Sequence, residues 1–153
     1  VIDFDTNHKV NPPYRRETDR IALWEGLKDG TLDAIVSNHR PHDKEEKDVE
    51  FDHSSFGNIA LQTVFASLST VPEFDLELVI EKLTNAGRVL LGIESGKIEE
   101  QQPADITLFA PNETFTFTKE QILSKTTNTP HIGKELKGIT LGIIRNGHFV
   151  ENN

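Results

Sequence analysis

The spacing of apolar residues changes along the chain, and that change limits the fold more than any other feature. Before Gly87 they recur at helical intervals, and from Ile106 onward they alternate with polar residues. Ile21, Trp24 and Leu27 follow at three-residue spacing behind Thr18 or Asp19 as N-cap, and Gly30 stands where a left-handed C-terminal cap is wanted. Leu61, Val64, Phe65 and Leu68 fall at i, i+3, i+4 and i+7, one face of a second helix. Leu76, Val79, Ile80 and Leu83 repeat that spacing behind Asp75 as N-cap, with Gly87 expected to close the helix. Later, Ile106, Leu108, Phe115 and Phe117 alternate, and Ile139 to Ile144 is joined to His148–Val150 by Asn146-Gly147, a strong hairpin signal.

Between the helices, Leu32 to Val36 reads as a short buried strand bounded by a turn signal and by Pro41. Pro12-Pro13 forces extended backbone at Asn11, so Lys9 to Tyr14 reads as a loop leaving another short strand. Strand, helix, strand, helix, helix is the order of a parallel α/β unit. A small antiparallel region then follows, with the join near Gly87 to Gln102. Two strands flanking one helix leave edges unpaired, which whole domains avoid. A piece of a longer protein is therefore expected, in line with Val1 at the start and no methionine anywhere.

Composition removes several function classes. No apolar run approaches the roughly 18–20 residues of a membrane helix, and no basic-then-apolar leader is present, so a soluble, non-membrane protein is expected. Without cysteine there is no disulfide, thiolate nucleophile or thiolate metal site, which fits a reducing compartment and makes the cytoplasm the expected location. A formal charge of -9 with scattered Lys and Arg argues against nucleic acid as a partner.

The densest chemistry lies in Ser37-Asn38-His39-Arg40-Pro41-His42. In parallel α/β folds the carboxyl ends of strands build the active site, so Asn38, His39 and His42 would face a pocket. The spacing of His39 and His42 can serve zinc, but a histidine bonded to backbone and an asparagine satisfying turn carbonyls explain the same residues. Asn11 offers an amide at a second strand end, suited to a small polar ligand or to a turn. The mixed charges of Asp43 to Glu50 read as a solvated loop lacking the ligand spacing and central glycine of an EF-hand. There is no glycine-rich phosphate loop and no Gly-x-Ser-x-Gly elbow.

Read in order, these segments resemble the C-terminal third of a dihydroorotase, within the amidohydrolase superfamily. Lys9-Val10-Asn11-Pro12-Pro13-Tyr14-Arg15 is similar to the family's KVNPPLR, and Ser37 to His42 with Glu46-Lys47 to its T/S-D-H-A-P-H followed by E-K. Ser55 to Thr63 resembles A-P-F-G-I-x-G-L-E-T, with Ala60 and Gln62 departing from its Gly and Glu. Ala104-Asp105-Ile106 resembles an A-D-I strand, and Ser124-Lys125, Asn128-Thr129-Pro130, Gly133 and Gly138 resemble a closing S-K-x-x-N-T-P-x-x-G pattern.

The resemblance implies an α/β fold: residues 1–95 as the last strands and helices of a (β/α)8 TIM-type barrel, and 96–153 as the C-terminal portion of a small β domain. It implies a cyclic amidohydrolase of pyrimidine biosynthesis that opens the ring amide of dihydroorotate to N-carbamoyl-aspartate. Asn11, His42, Phe56 and Gly57 resemble substrate-binding positions, and Asn38 stands at the family aspartate, a metal ligand and proton shuttle. General acid–base help is typically worth about 10²–10⁴-fold, so an amide at that position weighs on competence. Zinc is implied for the full-length parent, its other ligands upstream, and neither metal nor activity for these residues alone. Two alternatives remain: an inactive scaffold partnering aspartate transcarbamoylase, and a hydantoinase-like enzyme. A homo-oligomer is expected.

Overall fold

The computed structural model describes residues 4–152. Five helices precede a three-stranded sheet: α1 (Glu17–Asp29), α2 (Lys44–Lys47), α3 (Val64–Leu68), α4 (Leu76–Leu83), α5 (Asn85–Leu90), then β1 (Asp105–Thr116), β2 (Glu135–Arg145) and β3 (His148–Glu151). Single 3-10 turns lie at Thr6–His8 and Lys119–Gln121.

α1 buries Trp24 and Leu27 and ends at Gly30, whose φ of 83° is left-handed. Its capping differs from expectation. Arg16 occupies the N-cap position, and Asp19, three residues into the helix, accepts from the Arg16 amide at 3.2 Å. α4 starts as expected, with the Asp75 side chain accepting from the Leu78 amide. Gly87 does not close it, because the chain turns at Thr84 and Gly87 lies inside α5. Trp24, Leu27 and the wholly buried Val79 form one core, to which Leu32, Ile35, Phe65 and Phe74 add partial cover.

Leu32 to Val36 is not a ladder strand. Ile35 N–H donates to the Lys82 carbonyl at 2.9 Å, and the Lys82 ammonium donates to the Leu32 carbonyl at 2.8 Å, so this segment's backbone is tied to the end of α4. A strand needs a neighbour that presents donors and acceptors in register, and among the described residues only His39 and Asn58 form a parallel bridge in this region. Val36 is accordingly exposed rather than buried. The strand expected before Lys9 is, in its described part, the Thr6–His8 turn, and residues 1–3 lie outside the described residues.

The helix expected from Leu61 starts only at Val64, leaving Leu61 exposed in a turn. α3 is short but has two partners. Phe65 and Leu68 pack on the Trp24 core, while Ala66 joins Phe117 and Leu136 in a second core beneath the sheet. The Phe65 ring meets Phe74 and Phe109 edge-on at 6.0 and 5.0 Å. Gly138 of β2 lies against that ring: a Cβ there would come within 2.5 Å of it.

The sheet order is β1-β2-β3, antiparallel throughout, with the register of β1 shifting after Leu108 and after Ala110. The expected hairpin is present, with Asn146 and Gly147 both at positive φ, as a tight two-residue turn requires. No helix among the described residues is long and apolar enough to cross a membrane.

Candidate functional site

Three loops meet where Lys9–Asn11, Asn38–His42 and Ser55–Asn58 run side by side. The His39–Asn58 bridge pairs the second with the third, the Arg40 amide donating to the Asn58 carbonyl at 2.8 Å. The Gly57 amide donates to the Lys9 carbonyl at 2.9 Å and brings in the first. Asn58 is buried, and its amide group donates to the Asn7 carbonyl and the Tyr14 hydroxyl, fixing the chain on both sides of Asn11.

Asn38 and Asn11 adjoin. The Asn38 side-chain NH2 donates to the Asn11 carbonyl at 3.1 Å, and its backbone holds a left-handed φ of 50° that asparagine tolerates better than most residues. The side chain thus ties its own loop to the Asn11 loop, 27 residues away in the chain. Phe56 is half exposed, its ring under the Lys9 ammonium at 4.8 Å. Gly57 has a φ of 145°, and a Cβ there would stand 2.5 Å from the Arg40 Cβ and 3.0 Å from His42 Nε2, so only glycine fits.

His42 is held on both sides of its ring. Nδ1 lies 3.1 Å from Glu46 Oε2, and Nε2 lies 3.1 Å from the Phe56 carbonyl. Hydrogen bonding to His42 is the main reason that the Glu46 carboxyl sits below the usual carboxylate range. His39 differs. Its Nδ1 accepts from the amides of Ala60 and Leu61, each at 3.1 Å, which places the proton of the neutral ring on Nε2. His39 also lines an apolar cavity of about 360 Å³ together with Ile59, Phe117 and Leu123.

The charged run after His42 is not simply a solvated loop. It forms the one-turn helix α2, and Lys47 at its end is buried, donating to the carbonyls of Ser55 and Gly57 at 2.9 and 3.0 Å. Burial, the largest cause, lowers the pKa of that ammonium. Tyr14 is affected in the opposite sense, burial raising its phenol and the bond to Asn58 partly offsetting this.

The donors in these loops are already engaged with one another. Asn38 is a neutral amide already donating to a carbonyl, His39 presents its acceptor nitrogen to backbone amides, and no three His, Asp or Glu side chains converge among the described residues. The residue that the sequence reading left without a role is Asn128. Buried in the segment before β2, it bonds to both the His42 and the Gly57 loops. Its place in the Asn128-Thr129-Pro130 segment that resembles the closing family pattern was the available signal.

Comparison with known proteins agrees with this architecture. The model of the amidohydrolase family matches residues 6–150. The chain is 39% identical over 153 residues to a dihydroorotase of Desulforapulum autotrophicum and 41% identical over 154 residues to one of Clostridium acetobutylicum, in each case across 98% of this chain and 36% of the relative. It thus spans little more than a third of those relatives. Among solved structures, an L-hydantoinase from Arthrobacter aurescens superposes with a TM-score of 0.82 at 22% identity, over 97% of this chain and 35% of that one. A dihydropyrimidinase from Brevibacillus agri gives 0.78 at 24%, over 97% and 34%. At such identities the likeness is one of fold.

Proposed function

We infer the function from one premise: this chain belongs to the amidohydrolase family. The parent is then a dihydroorotase-type cyclic amidohydrolase, hydrolysing the ring amide of dihydroorotate reversibly to N-carbamoyl-aspartate in pyrimidine biosynthesis. The contrast in identity carries this reading: 39% and 41% to dihydroorotases against 22% and 24% to a hydantoinase and a dihydropyrimidinase, over almost the same residues. Residues 1–95 supply the last strands and helices of a (β/α)8 barrel, and 96–153 part of the small β domain. Asn11, His42, Phe56 and Gly57 form the substrate side of the site, an arrangement supported by the convergence of their three loops.

A metal, zinc in this reading, is held by residues outside these 153. The protein is cytoplasmic and homo-oligomeric in the same reading. The test is turnover by the full-length protein supplied with zinc, using dihydroorotate beside hydantoins and dihydropyrimidines. Dihydroorotate should be strongly preferred. Silence toward every cyclic amide would sink the enzyme reading, and preference for hydantoin would move it to another ring.

One observation favours a second reading. Asn38 is a carboxamide without a titratable proton, and its NH2 is engaged with the Asn11 carbonyl, so that side chain offers no general acid or base. The parent would then be a dihydroorotase-like scaffold, with aspartate transcarbamoylase as its partner. Co-sedimentation of the two proteins, with no hydrolysis, supports it. Vigorous hydrolysis by the unaltered parent excludes it.

A further inference from the structure

We propose that Asn128 is the positioning residue of the strand-end site: one buried side chain from the C-terminal region sets the spacing between the His42 loop and the Gly57 loop. The inference rests on the reading of these loops as the substrate side of an amidohydrolase site. Asn128 Oδ1 accepts from the His42 amide at 3.2 Å and from the Thr126 hydroxyl at 2.8 Å. Its Nδ2 donates to the Arg40 carbonyl at 3.2 Å and to the Gly57 carbonyl at 3.4 Å. Two acceptor and two donor capacities exhaust a side-chain amide. Its backbone carbonyl adds a fifth bond, from the Ile59 amide at 2.9 Å.

These partners are not a generic anchor. They lie on either side of the contact between His42 Nε2 and the Phe56 carbonyl, and Asn128 is 86 residues from His42 in the chain. Gly57 keeps a second donor in Lys47, so loss of the Asn128 side chain frees the loops without stripping that carbonyl bare. Arg40 and the His42 amide lose their side-chain partner outright. The His42 ring then drifts relative to Gly57, and small misplacements of binding groups are expensive. No side chain but an amide supplies this pattern: an aspartate would turn two donors into acceptors facing carbonyls, and a leucine would supply nothing.

The experiment uses the full-length protein with 15N-labelled histidine. In the unaltered protein the His42 ring nitrogen signals should be sharp, as expected of a ring held between Glu46 and the Phe56 carbonyl. In Asn128→Ala they should broaden, and binding of N-carbamoyl-aspartate should weaken about tenfold or more. Thr126→Ala, which removes only one bond to the same amide, should shift the His42 signals in the same direction by less. This milder variant keeps the test alive if Asn128→Ala does not fold. Unchanged His42 signals in either folded variant overturn the proposal. If the unaltered protein binds no dihydroorotate or N-carbamoyl-aspartate, the functional reading fails, while the histidine signals still decide whether Asn128 positions the loop.

Discussion

Asn38→Asp separates the two roles available to that position. The substitution keeps size and shape, and aspartate also tolerates the left-handed φ of 50°. What changes is one bond: a carboxylate cannot donate to the Asn11 carbonyl that Asn38 reaches at 3.1 Å. A neutral hydrogen bond is worth about 0.5–1.5 kcal/mol net, and because Asn38 is exposed, water can replace the lost partner. The expected cost at neutral pH is therefore near the low end, about 0.5–1 kcal/mol. Protonation restores a donor. With a carbonyl facing it, the new carboxyl would have a folded pKa above its unfolded value, so the penalty applies above that range and fades as pH falls toward about 4. Urea unfolding of the full-length protein and its variant between acid and neutral pH measures this difference. A variant equal to the parent in stability at every pH would refute the bond as the reason for the amide. Turnover should be followed in parallel, because activity appearing in the aspartate form of a silent parent supports the scaffold reading.

Other substitutions probe the same loops. Gly57→Ala drives a Cβ into Arg40 and His42, and should destabilise by about 1–3 kcal/mol in urea while displacing the His42 ring. His39→Asn retains an acceptor near the place of Nδ1 and should cost clearly less than His39→Leu, which strands the amides of Ala60 and Leu61 at about 1–3 kcal/mol; equal losses would contradict that role. Glu46, held low by His42, contributes stability that is present above its unfolded pKa and lost as pH falls through the folded value. Glu46→Gln should therefore flatten the acid limb of the stability profile below about pH 4.5, and an unchanged limb would assign it to other carboxylates.

Local chemistry was readable wherever the interaction is local. Asp75 caps its own helix, Gly30 ends its own, and Asn146-Gly147 makes a turn that depends on two residues. Leu32 to Val36 has the apolar run of a strand without the ladder, because a ladder requires a neighbour that a run of residues cannot specify. Leu61 was assigned to a helix on spacing alone. In the fold, the amides of Ala60 and Leu61 go to His39 instead, and Thr63 opens the helix. The burial of Lys47 and the bonds of Asn128 escaped for the same reason: each joins loops brought together only by the tertiary fold. Proximity of Asn11, Asn38, His42 and Gly57 was anticipated through family resemblance rather than from periodicity.

The double allegiance of α3 makes the helical and sheet regions hard to part. Ala66 belongs to the core under the sheet, whereas Phe65 and Leu68, its neighbours in the same short helix, belong to the core around Trp24. Melting the sheet would uncover α3, and unwinding α3 would uncover Val79 and Trp24 in turn. The exposed connection around Gly92 to Gln102 could therefore be cut by a protease without releasing either half. The two pieces should migrate together under native conditions and separate only in denaturant, so an intact native band on its own would say nothing about whether the backbone is whole.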